Sequence, residues 1–155
     1  MKKAKKLGAT LIITVDCGIT SFDAAACAKK EGIDVIITDH HEPIRQSSVE
    51  DSSQFTVHSS QFLLPEAIAV VNPKLQTHNS KLSSLSGAGL AFKIAQALSM
   101  MHDARCTMHD LLDLAAIGTM ADVVPRTGEN RLIVKEGMEL IHEGRRQGIR
   151  TLKDK

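Results

Sequence analysis

Residues 33–41 read Ile33-Asp34-Val35-Ile36-Ile37-Thr38-Asp39-His40-His41. A β-branched apolar run of this kind suits a strand inside a sheet. An acidic residue and two imidazoles directly after it are poor packing choices but good donors for a metal ion. The stretch therefore reads as a buried strand with half of a site at its carboxyl end.

Upstream, Leu11-Ile12-Ile13-Thr14-Val15 repeats the pattern and ends in Asp16-Cys17-Gly18. The lack of polar alternation predicts a strand covered on both faces. Between the two runs, Thr20 or Ser21 can cap a helix, Asp23 suits its first turn, residues 24–30 carry it, and Gly32 stops it. Strand, helix and strand in this compass make a βαβ unit, whose strands run parallel. Their carboxyl ends then share one sheet edge, where ligands of open α/β sheets bind. Asp16 and the Asp39-His40-His41 cluster are thereby predicted to face one crevice. An Asp after a strand also serves as a turn or cap residue. Two strands ending this way, one with a double His, favour a site.

Residues 2–8 read as the last turn of a helix, with lysines complementing its dipole and Gly8 as a left-handed cap. This carries the expectation of a chain that starts partway through a larger domain; a solvated arm is the alternative. Residues 43–64 are Ser/Gln-rich and without period, which predicts a mobile surface loop with His58 solvated. Residues 67–71 give a third buried strand, closed by Asn72-Pro73.

A second loop, 74–85, leads to Ser86-Gly87-Ala88-Gly89 and a helix over 90–101. Gly87 and Gly89 at a helix start are candidates for phosphate binding, although such glycines also serve close helix packing. Met100 and Met101 read as core filler. Residues 110–117 are amphipathic helix. A break at Gly118 and the stop at Pro125 place Asp122 on a fixed turn, as a functional carboxylate or a local cap. A last helix follows 128–130, with Leu132, Ile133, Gly137, Leu140 and Ile141 as its inner face. Residues 146–155 look like the start of a linker.

Composition narrows the function classes. The chain has 155 residues, 43% hydrophobic and 24% charged, as in an ordinary soluble domain. Lys+Arg at 19 against Asp+Glu at 18 leaves no global basic field, so a nucleic-acid partner must be recognised locally. Three cysteines without C-x-x-C spacing argue against a disulfide framework or zinc knuckle and for a reducing compartment. Asp16 and Asp23 interrupt any signal-peptide core, and no stretch has the length of a membrane span. The expectation is a cytoplasmic protein.

Five motifs now stand in order: residues 15–20 (VDCGIT), 38–43 (TDHHEP), 71–74 (VNPK), 87–93 (GAGLAFK) and 118–125 (GTMADVVP), with Gly128-Glu129-Asn130-Arg131 after them. In that order they resemble the DHH phosphoesterase superfamily and, within it, the RecJ-type single-stranded-DNA-specific exonucleases of DNA repair and recombination. The resemblance implies a Rossmann-like α/β fold, a parallel sheet flanked by helices. It implies that Asp16 is a metal ligand bridging two ions, that His40 and Asp122 complete one coordination sphere, and that Asp39 orients His40. It places His41 at the scissile phosphate. Mn²⁺ or Mg²⁺ would serve two-metal hydrolysis of single-stranded DNA, with Zn²⁺ not excluded.

The departures matter as well. Intact members carry an Asp-x-Asp motif on an earlier strand, and this chain contains none. Residues 1–145 are therefore expected to form a partial catalytic domain without its first strand or strands, weakly active or inactive alone. The missing C-terminal domain would lie beyond 146–155. Trp and Tyr are absent, leaving no evident base-stacking platform. That motivates a second reading, a phosphodiesterase or pyrophosphatase acting on a small phosphoester. A third is a non-catalytic α/β binding module.

Overall fold

Two of the predicted strands form and pair as the βαβ reading requires. Strand β1 (Leu11–Val15) runs parallel to β2 (Asp34–Thr38), with Leu11 opposite Asp34 and Val15 opposite Thr38. The crossover is α2 (Phe22–Lys30), which buries Ala25 and Ala28. The third parallel strand is β6 (Ala69–Val71), shorter than expected and paired to β2 from Ile36 to Thr38. The sheet order is β1-β2-β6. This is a computed structural model; it describes residues 1–46, 56–59, 62–75, 82–101 and 107–154, with only the backbone of 56–59.

The chain divides into two compact units, Met1–Ser83 and Ser84–Lys155. In the first, Ala28, Ile33, Val35 and Ile37 form the core, with Met1, Ala4, Ile12, Ala67 and Val70 against it. A fully buried valine or isoleucine among them contributes about 1.5–3 kcal/mol. Met1 and Ala4 bring in α1 (Lys2–Lys6), which ends at a left-handed Gly8 as the sequence suggests. The strand expected to be covered on both faces is covered on one: Leu11, Ile13 and Val15 are 43 to 58% exposed. Period-two burial places Ile12 against the core and leaves the odd positions on the opposite face.

The described part of the Ser/Gln-rich stretch is not all loop. Strands β3 (Ile44–Arg45), β4 (Thr56–Ser59) and β5 (Phe62–Leu64) form an antiparallel sheet in the order β3-β5-β4. Phe62 and Leu64 pack with Ile19, Val70 and Leu75, which is why three consecutive apolar residues follow so polar a run. The rest of the predicted loop, the side chain of His58, and residues 76–81 of the second loop lie outside the described residues.

The second unit is helical: α3 (Gly87–Met101), α4 (Leu112–Ala121), α5 (Gly128–Glu143) and α6 (Gln147–Lys153), with a 3-10 turn at Met108–Leu111. Gly118 does not break α4. The helix runs through it, and a Cβ at Gly118 would lie 2.3 Å from the Ala88 Cβ, so the glycine serves the α3–α4 crossing. On α5, Ile133, Gly137 and Leu140 face inward as expected, while Leu132 is exposed. Met100 and Met101, expected in the core, are exposed at the end of α3.

Within the tail predicted to begin a linker, Gln147–Lys153 form α6, and Ile149 is buried. Arg146, just before it, donates from Nε to Asp113 Oδ2 at 2.7 Å and from Nη2 to the Asp110 carbonyl. A largely buried carboxylate on α4 thereby holds the chain entering α6. Among the described residues, no helix is long and apolar enough to cross a membrane.

The α4–α5 crossing gives a direct test. A Cβ at Gly137 would lie 2.3 Å from the Leu112 carbonyl oxygen and 2.4 Å from the Ala116 Cβ. Backbone cannot yield as a side-chain tip can, so Gly137→Ala should destabilise the protein by about 2 kcal/mol or more in urea unfolding, although Ala is the better helix former. A neutral or stabilising result would show that α4 and α5 do not approach this closely.

Candidate metal centre

The parallel ladder continues one residue beyond each strand. Asp16 N–H donates to the Thr38 carbonyl at 3.0 Å, and Asp39 N–H donates to the Val71 carbonyl at 3.1 Å. Both aspartates are thus fixed at the same sheet edge by the neighbouring strand. Thr38 Oγ1 donates to the Thr14 carbonyl at 2.6 Å, and Thr14 Oγ1 to the Cys17 carbonyl at 2.7 Å. Asp16 leaves β1 in the left-handed region, φ 62°. Asp tolerates this better than most residues, and such conformations concentrate at functional sites. Gly18 follows at φ 115°, where a Cβ would meet Thr14 Oγ1 at 2.9 Å.

Asp39 is 1% exposed and receives four N–H donors. Oδ2 accepts from Ile19 N–H at 2.8 Å. Oδ1 accepts from His40 N–H at 2.8 Å and His41 N–H at 3.1 Å, and faces His41 Nδ1 at 2.7 Å. Burial alone pushes its pKa up; the bonds from Ile19 and His41, backbone and ring, outweigh that and hold it below the ordinary carboxylate value. The ring that Asp39 is seen to orient is therefore that of His41, two residues on, while His40 is reached through its backbone N–H. An Asp side chain folding back on the backbone just after it is a short-range preference of the residue.

With Nδ1 held on a carboxylate, His41 keeps its proton there and has Nε2 free of that bond for a ligand or substrate. His40 is 8% exposed, and its Nε2 lies 3.1 Å from Asp16 Oδ1. The two imidazoles stand 4.6 Å apart between ring centres. One ligand atom from each of Asp16, His40 and His41 falls within a 4.8 Å cluster.

Asn72, read in the sequence as a strand stop within the 71–74 motif and given no role of its own, belongs to this assembly. It is buried, donates from Nδ2 to the His41 carbonyl at 2.9 Å, and accepts the Lys74 N–H on Oδ1 at 2.9 Å. The signal was present in its place beside Pro73 at a strand's carboxyl end, the edge that carries the other site residues.

The remaining predicted residues belong to the second unit. Asp122 ends α4, its N–H donating to the Gly118 carbonyl at 3.0 Å. Val123 follows at φ 56°. A left-handed β-branched residue costs about 1–3 kcal/mol and persists only where its surroundings impose it. Gly87 and Gly89, the candidate phosphate cradle, are buried. Gly89 N–H already donates to Ser86 Oγ at 2.9 Å, and a Cβ there would press on Leu85 and Ser86 at 3.1 and 3.2 Å. At Gly89 the local geometry answers to capping and packing.

A parallel α/β sheet with an acidic residue and an Asp-His-His triplet at one edge defines a class. The family model described as "DHH family, N-terminal domain" matches residues 2–119, and the chain belongs to that family. Its relatives are more specific. It is 41% identical to the single-stranded-DNA-specific exonuclease RecJ of Bacillus subtilis and 38% identical to that of Escherichia coli, each over 97% of this chain. It spans only 16% and 25% of those two proteins.

Among solved structures it is similar to an exonuclease RecJ bound to manganese, at TM-score 0.76 and 32% identity, covering 99% of this chain and 35% of that one. It is likewise similar to RecJ in complex with Mn²⁺ from Thermus thermophilus, at TM-score 0.74 and 33% identity, covering 98% and 20%.

The Asp39 network is testable by itself. Asp39→Asn keeps the shape but sets an amide among four N–H donors, and should destabilise the protein by about 2–3 kcal/mol at pH 7. Because the folded-state pKa is lowered, the wild-type advantage is present above the unfolded value of about 3.9 and drains as pH falls through the folded value. Denaturant midpoints should therefore differ most above about pH 5 and converge in acid. Equal midpoints at neutral pH would rule the network out as a stabilising feature.

Proposed function

We propose that this chain supplies metal-binding and phosphate-facing residues for metal-dependent phosphodiester hydrolysis, acting on single-stranded DNA in the manner of the RecJ exonucleases it resembles. The observation that carries this reading is the cluster of Asp16, His40 and His41 ligand atoms above the Asp39 network. The donor chemistry fits a divalent ion. A carboxylate oxygen and an imidazole nitrogen 3.1 Å apart have the separation of adjacent ligands on one ion with bonds of about 2.1 Å. Mixed oxygen and imidazole donors suit Mn²⁺, with Mg²⁺ less favoured by the imidazole.

In this reading Asp16 and His40 hold the ion, and Asp122 enters as a ligand on the sequence resemblance alone. The bound ion would supply an acidified water and charge relief for phosphate oxygens. His41 Nε2 faces the phosphate, and Asp39 keeps its ring in one tautomer and orientation. The cell compartment that matches such a substrate is the cytoplasm. These 155 residues include no Asp-x-Asp pair, so a second ion is short of carboxylates within them, and hydrolysis by this chain alone should be slow.

Calorimetric titration with Mn²⁺ should show binding that Asp16→Ala weakens by about tenfold or more, since a ligand is lost rather than merely displaced. Incubation with Mn²⁺ and 5′-labelled single-stranded DNA should release little product. Any activity present should be competed by long single strands and not by cyclic dinucleotides or pyrophosphate. Preference for the small compounds would move the function to small-phosphoester hydrolysis. No Mn²⁺ binding, with Asp16→Ala silent, would leave a non-catalytic module.

A further inference from the structure

Among Asp16, Asp39, His40 and His41, packing holds His41 least. Its side chain is 61% exposed, against 10% for His40, so hydrogen bonds must set its ring. Two of those bonds, from the backbone N–H and with ring Nδ1, end on one atom, Asp39 Oδ1. Bonds that share a single oxygen leave the residue free to pivot about it. A third attachment, on a separate element, removes that freedom.

Asn72, the first residue past β6, supplies it. Its Nδ2 donates to the His41 carbonyl at 2.9 Å. The direction of the amide is fixed by its other end, where Oδ1 accepts the Lys74 N–H at 2.9 Å. A backbone N–H can only donate, so the amide oxygen must face Lys74 and the amide nitrogen His41. Asp in this place would turn an oxygen towards the His41 carbonyl, and Leu would offer neither group a partner. The residue before it takes part as well: the Val71 carbonyl accepts the Asp39 N–H at 3.1 Å. The end of β6 thus grips the Asp39-His40-His41 turn at its first residue through the backbone and at its last through a side chain. Asn72 is 5% exposed, so little water competes for its bonds.

We infer that Asn72 is a positioning residue for His41: by anchoring the His41 carbonyl it stops the residue pivoting on Asp39 and keeps the imidazole, its proton on Nδ1, in the cluster with Asp16 and His40. The inference rests on the proposed role of His41 at the phosphate. All of these residues lie in the first unit.

The His41 tautomer reports the placement, read by ¹⁵N NMR of the imidazoles in metal-free protein at about pH 8.5, where a free imidazole is neutral and shares its proton between both nitrogens. Wild-type His41 should show Nδ1 protonated and Nε2 not. In Asn72→Ala, shown by thermal melting to be folded, the two shifts should move towards each other as the Asp39 bond is made only part of the time. The shifts of the more buried His40 should stay in place. Mn²⁺ affinity by calorimetry should change by less than about threefold, short of the roughly tenfold loss expected when a residue that orients a metal ligand is removed.

Unchanged His41 shifts in folded Asn72→Ala would overturn the positioning role and leave the proposed function standing. A tenfold loss of Mn²⁺ affinity would overturn it too, because Asn72 would then act on the ion's own ligands. Absence of Mn²⁺ binding by the wild-type protein would instead sink the proposed function, and the inference with it. Should Asn72→Ala not fold, Asn72→Asp, which keeps the shape and the Lys74 bond but not the donor, takes its place. Failure of both to fold would make Asn72 a residue of the fold and overturn the inference.

Discussion

The buried carboxylate of Asp39 collects N–H groups from three places: the loop after β1, the backbone of the two residues that follow it, and the ring of His41. An ionised carboxylate this far from water is tolerable only when its lone pairs are filled. Filling them requires that Ile19 come close, that the chain turn sharply after β2, and that His41 adopt one orientation. The bonds from Ile19 and His41 hold its proton affinity down, so the charge that organises the site is present at neutral pH.

Around that charge, the parallel sheet acts as a template. Asp16 and Asp39 are each the first residue past a strand, and each is fastened by a carbonyl of the next strand over. Backbone hydrogen bonds in a ladder are the least flexible scaffold available to a side chain, which suits ligand atoms that must converge within a few ångströms. The second unit achieves rigidity by other means. Glycines at positions 118 and 137 let helices approach closely, and buried polar contacts at Asp113 and Asn130 fasten the segments between them.

Much of this was legible in the chain. The β-branched runs at 11–15 and 33–38, the helix between them and the shared edge for Asp16 and Asp39 all follow from local pattern and the handedness of βαβ units. Other readings failed for definite reasons. The polar stretch 43–64 hid three strands because its apolar anchor, Phe62 to Leu64, is short and contiguous, so no alternation shows. Gly118 looked like a helix stop because a glycine's role in close packing depends on a partner, Ala88, thirty positions away. The helix within 146–155 went unread because one buried isoleucine and a salt-bridged arginine leave little periodic trace.

The sequence by itself determined the α/β class, the edge on which the chemistry sits and the residue types that carry it. Those depend on strand period, turn residues and donor chemistry, which are local properties. Only the tertiary structure decided which imidazole Asp39 holds, that Asn72 belongs to the site, and that Asn130 fastens the turn bearing Asp122. Each of these is a hydrogen bond whose existence depends on where a carbonyl or a ring lies in space. Spacing along a chain does not encode the direction in which a buried amide points.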